Sequence, residues 1–178
     1  PRGLIFEPGD QVNGCVVVGI NPGHARKEEK KQFKGELSYS SVKNFWFRNF
    51  SEGTKNLYFS RTRSLVRRLG IMGPIIWTDL AKCECKGSNK RLPIETLRTC
   101  IHKWFNKELG IIPRKFPIFC LGRQAFDYCA LSFRDRLVIG LPHPSGRNIS
   151  FQNKAKTLTK EKYMFDKNRL PSGALDYI

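Results

Sequence analysis

Val16-Val17-Val18-Gly19-Ile20-Asn21-Pro22-Gly23 is the stretch that decides the fold. Three consecutive β-branched residues read as a strand buried on both faces, the kind found in a parallel sheet. The run then stops abruptly. Gly19 removes the side chain, Pro22 fixes φ, and Gly23 admits conformations closed to other residues. Among these breakers stands one polar side chain, Asn21, at the carboxyl end of the strand, the edge where open α/β sheets bind ligands. A second stretch repeats the design: Leu137-Val138-Ile139-Gly140-Leu141 is apolar and runs into Pro142-His143-Pro144-Ser145-Gly146-Arg147-Asn148. Read singly, Asn21 supports no more than its own turn and His143 is a surface or satisfied polar residue. Two such turns on strand ends point to chemistry.

Working outward, residues 74–80 read as a buried strand with a polar exit at Asp79, and residues 116–122 as another. Helical patterns are expected from 42 onward with Ser41 as cap, over 62–69 with a stop at Gly70, over 93–104 with Pro93 in the first turn, and from 123 to 128. The charged run 26–31 reads either as a solvated face or as a loop facing nucleic acid, and 83–91 as a polar loop. Strands alternating with helices predict one α/β domain over 1–178 with its core at about 12–150. The expected architecture is a three-layer fold, a mostly parallel sheet of about four strands with helices on both faces. A basic, irregular tail over 151–178, with one helix near 160–165, completes the expectation.

The charge narrows the partner. With 32 Lys and Arg against 15 Asp and Glu, the chain of 178 residues carries a formal +17, a field that draws polyanions. Aromatic residues make up 12%, which suits a packed domain rather than a basic tail, so nucleic acid is the expected partner. No apolar run approaches the ~20 residues of a membrane span, and no signal-peptide pattern is present. The six cysteines lack the spacing of a secreted scaffold. An intracellular, reducing location is expected, as is a monomer.

Gly19-Ile20-Asn21-Pro22-Gly23 together with His143-Pro144-Ser145-Gly146 resembles the two active-site motifs of the uracil-DNA glycosylase superfamily. The Asn in the first motif is similar to the mismatch-specific and single-strand-selective branches. In the other motif, the Arg147-Asn148 that follows is most similar to the single-strand-selective branch, whereas Gly146 is similar to the mismatch-specific one. Trp77-Thr78-Asp79-Leu80-Ala81-Lys82-Cys83, Asn89, Pro93, Glu95 and Cys100, then Leu121-Gly122-Arg123, resemble the core of the iron–sulfur uracil glycosylases. The resemblance covers about residues 12 to 150. It implies a monofunctional DNA glycosylase that flips out a uracil or a C5-substituted pyrimidine and leaves an abasic site. Gly19, Ile20 and Gly23 would then line the base, Ser145 and Gly146 would hold phosphates, and Arg147 with Asn148 would fill the opened stack. The aromatic that stacks on the base is expected between the first turn and the first helix, with Tyr39 chosen and Phe33 next; core packing is the competing role for both.

The residues support that chemistry on their own terms. Hydrolysis of a base–sugar bond passes through an oxocarbenium-like sugar and an anionic pyrimidine. Asn21 cannot take up a proton at neutral pH, but its carbonyl can orient a water. His143 can donate from a ring nitrogen to the pyrimidine O2, the part played elsewhere by an oxyanion hole. Ser145 and nearby backbone N–H groups would position DNA without reading sequence.

Two departures from the family pattern bear on substrate. Gly23 stands where strictly uracil-selective relatives hold a bulky Tyr against C5. Asp79 stands where they hold an Asn that donates to O4 and accepts from N3–H. An ionised Asp79 only accepts, so it opposes O4 and suits the exocyclic amine of cytosine; a helix cap or a solvated loop position is its other reading. A glycosylase for C5-modified cytosine is therefore the alternative within the class, and a catalytically silent nucleic-acid-binding module the alternative outside it. A phosphate loop at residues 19–23 is disfavoured, because the P-loop lysine and the dinucleotide glycine spacing are missing. Cys83 and Cys100 lie near the spacing of cluster-bearing relatives, and Cys85 could replace a third ligand, for iron–sulfur or zinc. Those relatives add an amino-terminal pair, and only Cys15 precedes Asn21 here, so no metal or cofactor is expected.

Overall fold

The structure, a computed structural model, describes residues 4–10, 12–23, 27–32, 38–51, 56–83, 92–145, 149–170 and 172–178. Its frame is a six-stranded sheet of β1 (Ile5–Glu7), β2 (Cys15–Gly19), β3 (Ile75–Asp79), β4 (Ile118–Leu121), β5 (Leu137–Leu141) and β6 (Gly173–Asp176). In space the order is β1-β3-β2-β4-β5-β6. Of these strands only β1 runs antiparallel, against β3; the β3/β2, β2/β4, β4/β5 and β5/β6 pairs are all parallel. The expected four strands are present, and an edge strand is added on each side.

Each central strand is buried on both faces, as its apolar run requires. Cys15, Val17, Ile75, Trp77, Phe119, Leu121, Ile139 and Leu141 point into one core layer, with Trp46, Phe50, Leu65, Val66, Phe151 and Tyr163 from the helices. Val16, Val18, Ile76, Ile118, Cys120 and Val138 point into the other, with Ile101, Phe105, Leu109 and Phe126. The period-2 alternation of strands thus divides one set of apolar residues into two cores. The first layer holds α2 (Tyr39–Phe50), α3 (Leu57–Arg68), α7 (Ile149–Thr157) and α8 (Lys160–Arg169); the other holds α4 (Ile94–Cys100), α5 (Asn106–Gly110) and α6 (Arg123–Ser132).

Several local expectations are corrected. The cap of α2 is Ser38, whose hydroxyl accepts from the Ser41 N–H. Helix α3 starts five residues before Thr62, because Asn56 caps it through the Tyr58 N–H. Pro93 occupies the cap of α4 rather than its first turn. The helical stretch also runs past 104. A π segment over residues 101–105 joins α4 to α5, and Ile101, Phe105 and Leu109 are buried at every fourth position. The wider turn takes up the angular drift that ~3.6-residue turns would accumulate at that spacing, and it leaves Trp104 half exposed. The charged run contains a short helix, α1 (Lys27–Gln32), with Lys27, Lys30 and Lys31 exposed. The tail is not irregular: Phe151, Leu158 and Tyr163 anchor α7 and α8 in the core, and β6 extends the sheet beside β5. Among the described residues, no helix is long and apolar enough to cross a membrane.

Candidate active site at the carboxyl edge of the sheet

Strand order reverses between the parallel neighbours β2 and β4, since β2 leads to β3 on one side while β4 leads to β5 on the other. Such a switch point opens a crevice above the carboxyl ends of the strands. Ile20 leans across it, its Cδ1 4.0 Å from where a Cβ on Gly122 would lie. The turn after β2 is held down by the neighbouring strand exit, with Leu80 N–H donating to Gly19 O (3.0 Å) and Ala81 N–H to Ile20 O (2.9 Å).

In that turn Asn21 is half-buried, and its Nδ2 donates to Pro22 O at 3.0 Å. Fixing the amide nitrogen on the backbone orients the side-chain carbonyl as the acceptor for an incoming group. Gly23 is exposed, and a Cβ there would meet nothing within 4 Å.

Asp79 closes the register opposite Gly19. A side chain on Gly19 would collide with the Asp79 carboxylate and stand 2.8 Å from the Tyr58 hydroxyl. Gly19 is therefore required for close approach rather than for its backbone angles. Beneath Asp79, a buried network sets the strand exit. Lys82 Nζ donates to Thr78 Oγ1 (2.6 Å), Asp79 O (2.8 Å) and Glu108 Oε2 (2.5 Å), and Thr78 in turn donates to Glu108 at 2.6 Å. Every donor on this lysine thus meets an oxygen, as a buried ammonium requires.

His143 stands two residues beyond β5, its ring centroid 5.3 Å from that of Tyr58. Its Nδ1 accepts from the Ser145 N–H at 3.3 Å, which puts the ring proton of the neutral form on Nε2. The residue is solvent-exposed, yet protein crowds the ring enough that desolvation lowers its pKa from the usual 6.5. Arg61 ties the motif to α3, donating to Ser145 O at 3.0 Å and Pro144 O at 3.4 Å.

Tyr58 is the residue that sequence reasoning missed. It sits in the first turn of α3, with its hydroxyl at Gly19 and Asp79 and its ring against His143, so it spans both motifs. Burial and the Asp79 charge push its pKa well above 10, so at neutral pH the phenol keeps its proton. The one available signal is the Asn56 cap, which starts the helix early enough to bring Tyr58 to the strand ends. Tyr39, by contrast, stands 66% exposed at the start of α2.

Residues 9–165 match the family model described as the uracil DNA glycosylase superfamily. The chain belongs to this superfamily. No curated protein matches the chain closely enough to count as a relative. Members of the superfamily are DNA glycosylases with a three-layer α/β fold, the architecture built here. Of the other positions expected from sequence, Ser145 is exposed beside His143, while Gly146, Arg147, Asn148, Phe33 and Cys85 lie outside the described residues. Cys83 is exposed and Cys100 buried. Among the described residues no group of three His, Cys, Asp or Glu side chains could hold a metal ion.

The lowered His143 pKa gives a pH prediction. Because the fold favours the neutral ring, its contribution to stability is complete above about pH 6.5 and is lost as pH falls from 6.5 through the lowered folded value. The His143 ring resonance in an NMR titration should have its midpoint below 6.5. Protonation of Nδ1 should also release the Ser145 N–H, visible as a coupled shift of that amide. A midpoint above 6.5 would contradict the assigned environment.

Proposed function

We propose that this protein is a monofunctional DNA glycosylase that takes a uracil or another altered pyrimidine out of the stack and hydrolyses its N-glycosidic bond. The observation that carries the reading is Tyr58, which joins the Asn21 turn to His143 across the carboxyl edge of the sheet. Two turns 122 positions apart in the chain are thereby parts of one crevice.

In the proposed step the C1′–N1 bond breaks first, leaving an oxocarbenium-like sugar and an anionic base. The Nε2–H of His143 donates to the pyrimidine O2 and stabilises the charge that develops there. The Asn21 carbonyl holds a water against C1′; its oxygen forms the new C1′–O bond and its proton passes to solvent. The base leaves as an anion and is protonated at nitrogen afterwards. No part of this sequence of steps calls for a metal or a redox group. The basic surface would track phosphates together with Ser145 and Gly146, and Arg147 with Asn148 would fill the space the base leaves. The reading takes the protein to act as a monomer on DNA inside the cell.

A second reading concerns the base. Asp79 offers only acceptors when ionised, and the open space at Gly23 accommodates a substituent at C5. Both features suit a C5-modified cytosine, whose exocyclic amine donates where the uracil O4 accepts. Asp79→Asn should then shift preference toward uracil by ~10-fold to 100-fold, since a mismatched buried acceptor costs about 1–3 kcal/mol. The test is base release from matched oligonucleotides carrying uracil, thymine opposite guanine, 5-hydroxymethyluracil and C5-substituted cytosines. Release from uracil-type bases alone, with no change in Asp79→Asn, would remove Asp79 from base recognition. No release from any of them would leave a binding module.

A further inference from the structure

We propose that the groove between α3 and α7 is a binding track for the sugar–phosphate backbone of the DNA strand flanking the target nucleotide. The inference rests on DNA being the substrate, and it goes beyond the crevice, since none of its lining residues belongs to the two motifs.

The groove encloses about 410 Å³. Its floor is apolar, Leu65 from α3 and Phe151 from α7, both buried in the core. Its rim is cationic and polar, with Arg61 and Arg68 on one wall and Lys156 on the other, and among the described residues that line it none is acidic. Helical geometry explains the segregation. Arg61, Leu65 and Arg68 follow the i, i+4, i+7 spacing that forms one stripe on a helix, while Phe151 with Ala155 and Gln152 with Lys156 form two adjacent i, i+4 pairs on α7. The two stripes face each other, and Arg68 bridges them by donating to the Ala155 carbonyl.

Chemistry selects the occupant. Three cations with the Ser60 and Ser64 hydroxyls offer charge and hydrogen-bond donors together, the combination that holds phosphate oxygens. A floor of closed-off aromatic and aliphatic side chains presents no exposed ring for a base to stack on, so the backbone rather than the bases fits it. Length agrees as well: Arg61 and Arg68 stand seven residues apart, ~10 Å along the helix axis, enough to reach neighbouring phosphates of one strand. The groove is also continuous with the crevice, because Arg61 donates to the carbonyls of Pro144 and Ser145 beside His143. A strand leaving the site past Ser145 meets Arg61 first and the other two cations next.

The experiment measures affinity for an undamaged duplex across a salt series, with base release from a uracil-bearing duplex measured separately. Lys156→Ala and Arg68→Ala are the variants, with Arg61 left intact because it also holds the His143 turn. Lys156 is exposed on α7, so its removal leaves the core unchanged, and the thermal midpoint checks folding in both variants. Each should weaken binding several-fold and lower the slope of log affinity against log salt by about one. With a duplex that carries a single target base to fix the register, the loss should vanish when the DNA is trimmed on the one side that reaches the groove. Unchanged affinity and slope in folded Lys156→Ala would overturn the proposal even if base release is normal. The parent protein failing to release any base while the variants still lose affinity would instead sink the glycosylase reading and leave the track standing.

Discussion

Replacing Asn21 by alanine should lower base release by two to three orders of magnitude while leaving affinity for DNA within about twofold. The size follows from the chemistry removed: deleting one preorganised polar group at a reacting centre costs about 2.7–4 kcal/mol of transition-state stabilisation. The specificity of the effect follows from geometry. The Asn21 amide donates within its own turn in the free protein, to Pro22 O, and packing of β2 rests on Val16, Val17 and Val18 instead. The turn itself stays pinned by the Leu80 and Ala81 amides. Phosphate contacts, which dominate affinity for DNA, are elsewhere. Single-turnover release with saturating enzyme, set beside equilibrium binding to the same oligonucleotide, separates the two quantities. Parallel decline of both would make Asn21 a turn residue and no more.

The legibility of the site in the sequence has a simple physical basis. Strands buried on both faces are written as largely apolar runs, so β2, β3, β4 and β5 stand out, and a polar residue at the exit of three of them marks the crevice. Asn21, Asp79 and His143 are legible in that way. Tyr58 is not, because its role depends on where a helix packs, and an aromatic near a helix start resembles any core residue. The edge strands are hidden for other reasons. β1 is three residues long, and its buried member is Glu7, which pattern reading assigns to the surface. β6 is four residues and half exposed, and it exists only through pairing with β5. Arg63 and Lys82 mislead in the same way: a buried cation is visible in sequence only once its partner is known, and theirs lie 56 and 26 positions away.

The largest stability effect should come from that first hidden pair. Arg63→Ala should destabilise the fold by about 3–5 kcal/mol, the range for removing one member of a buried ion pair. The guanidinium meets Glu7 through two parallel bonds, Nε to Oε1 at 2.7 Å and Nη2 to Oε2 at 2.9 Å, and Nη2 also donates to Phe50 O at 2.8 Å. Trp77 Nε1 donates to the same carboxylate at 3.0 Å. One carboxylate thus joins β1, β3 and α3, and one guanidinium joins α3 to the end of α2. Without Arg63, Glu7 is left charged against the Trp77 ring with most of its partners gone, and Phe50 O loses its donor. Urea unfolding should register the change as a lower midpoint at nearly unchanged slope. The double change Glu7→Leu with Arg63→Met should recover much of the stability, because an apolar replacement removes the desolvation cost together with the attraction. A double variant no better than Arg63→Ala would mean that the Trp77 and Phe50 bonds carry the energy. The site should feel the single change too. Tyr58 and Arg61 lie on the same helix within five residues of Arg63, so base release should fall in Arg63→Ala at temperatures where the protein is still folded. The double variant, which keeps α3 packed, should restore the rate along with the stability.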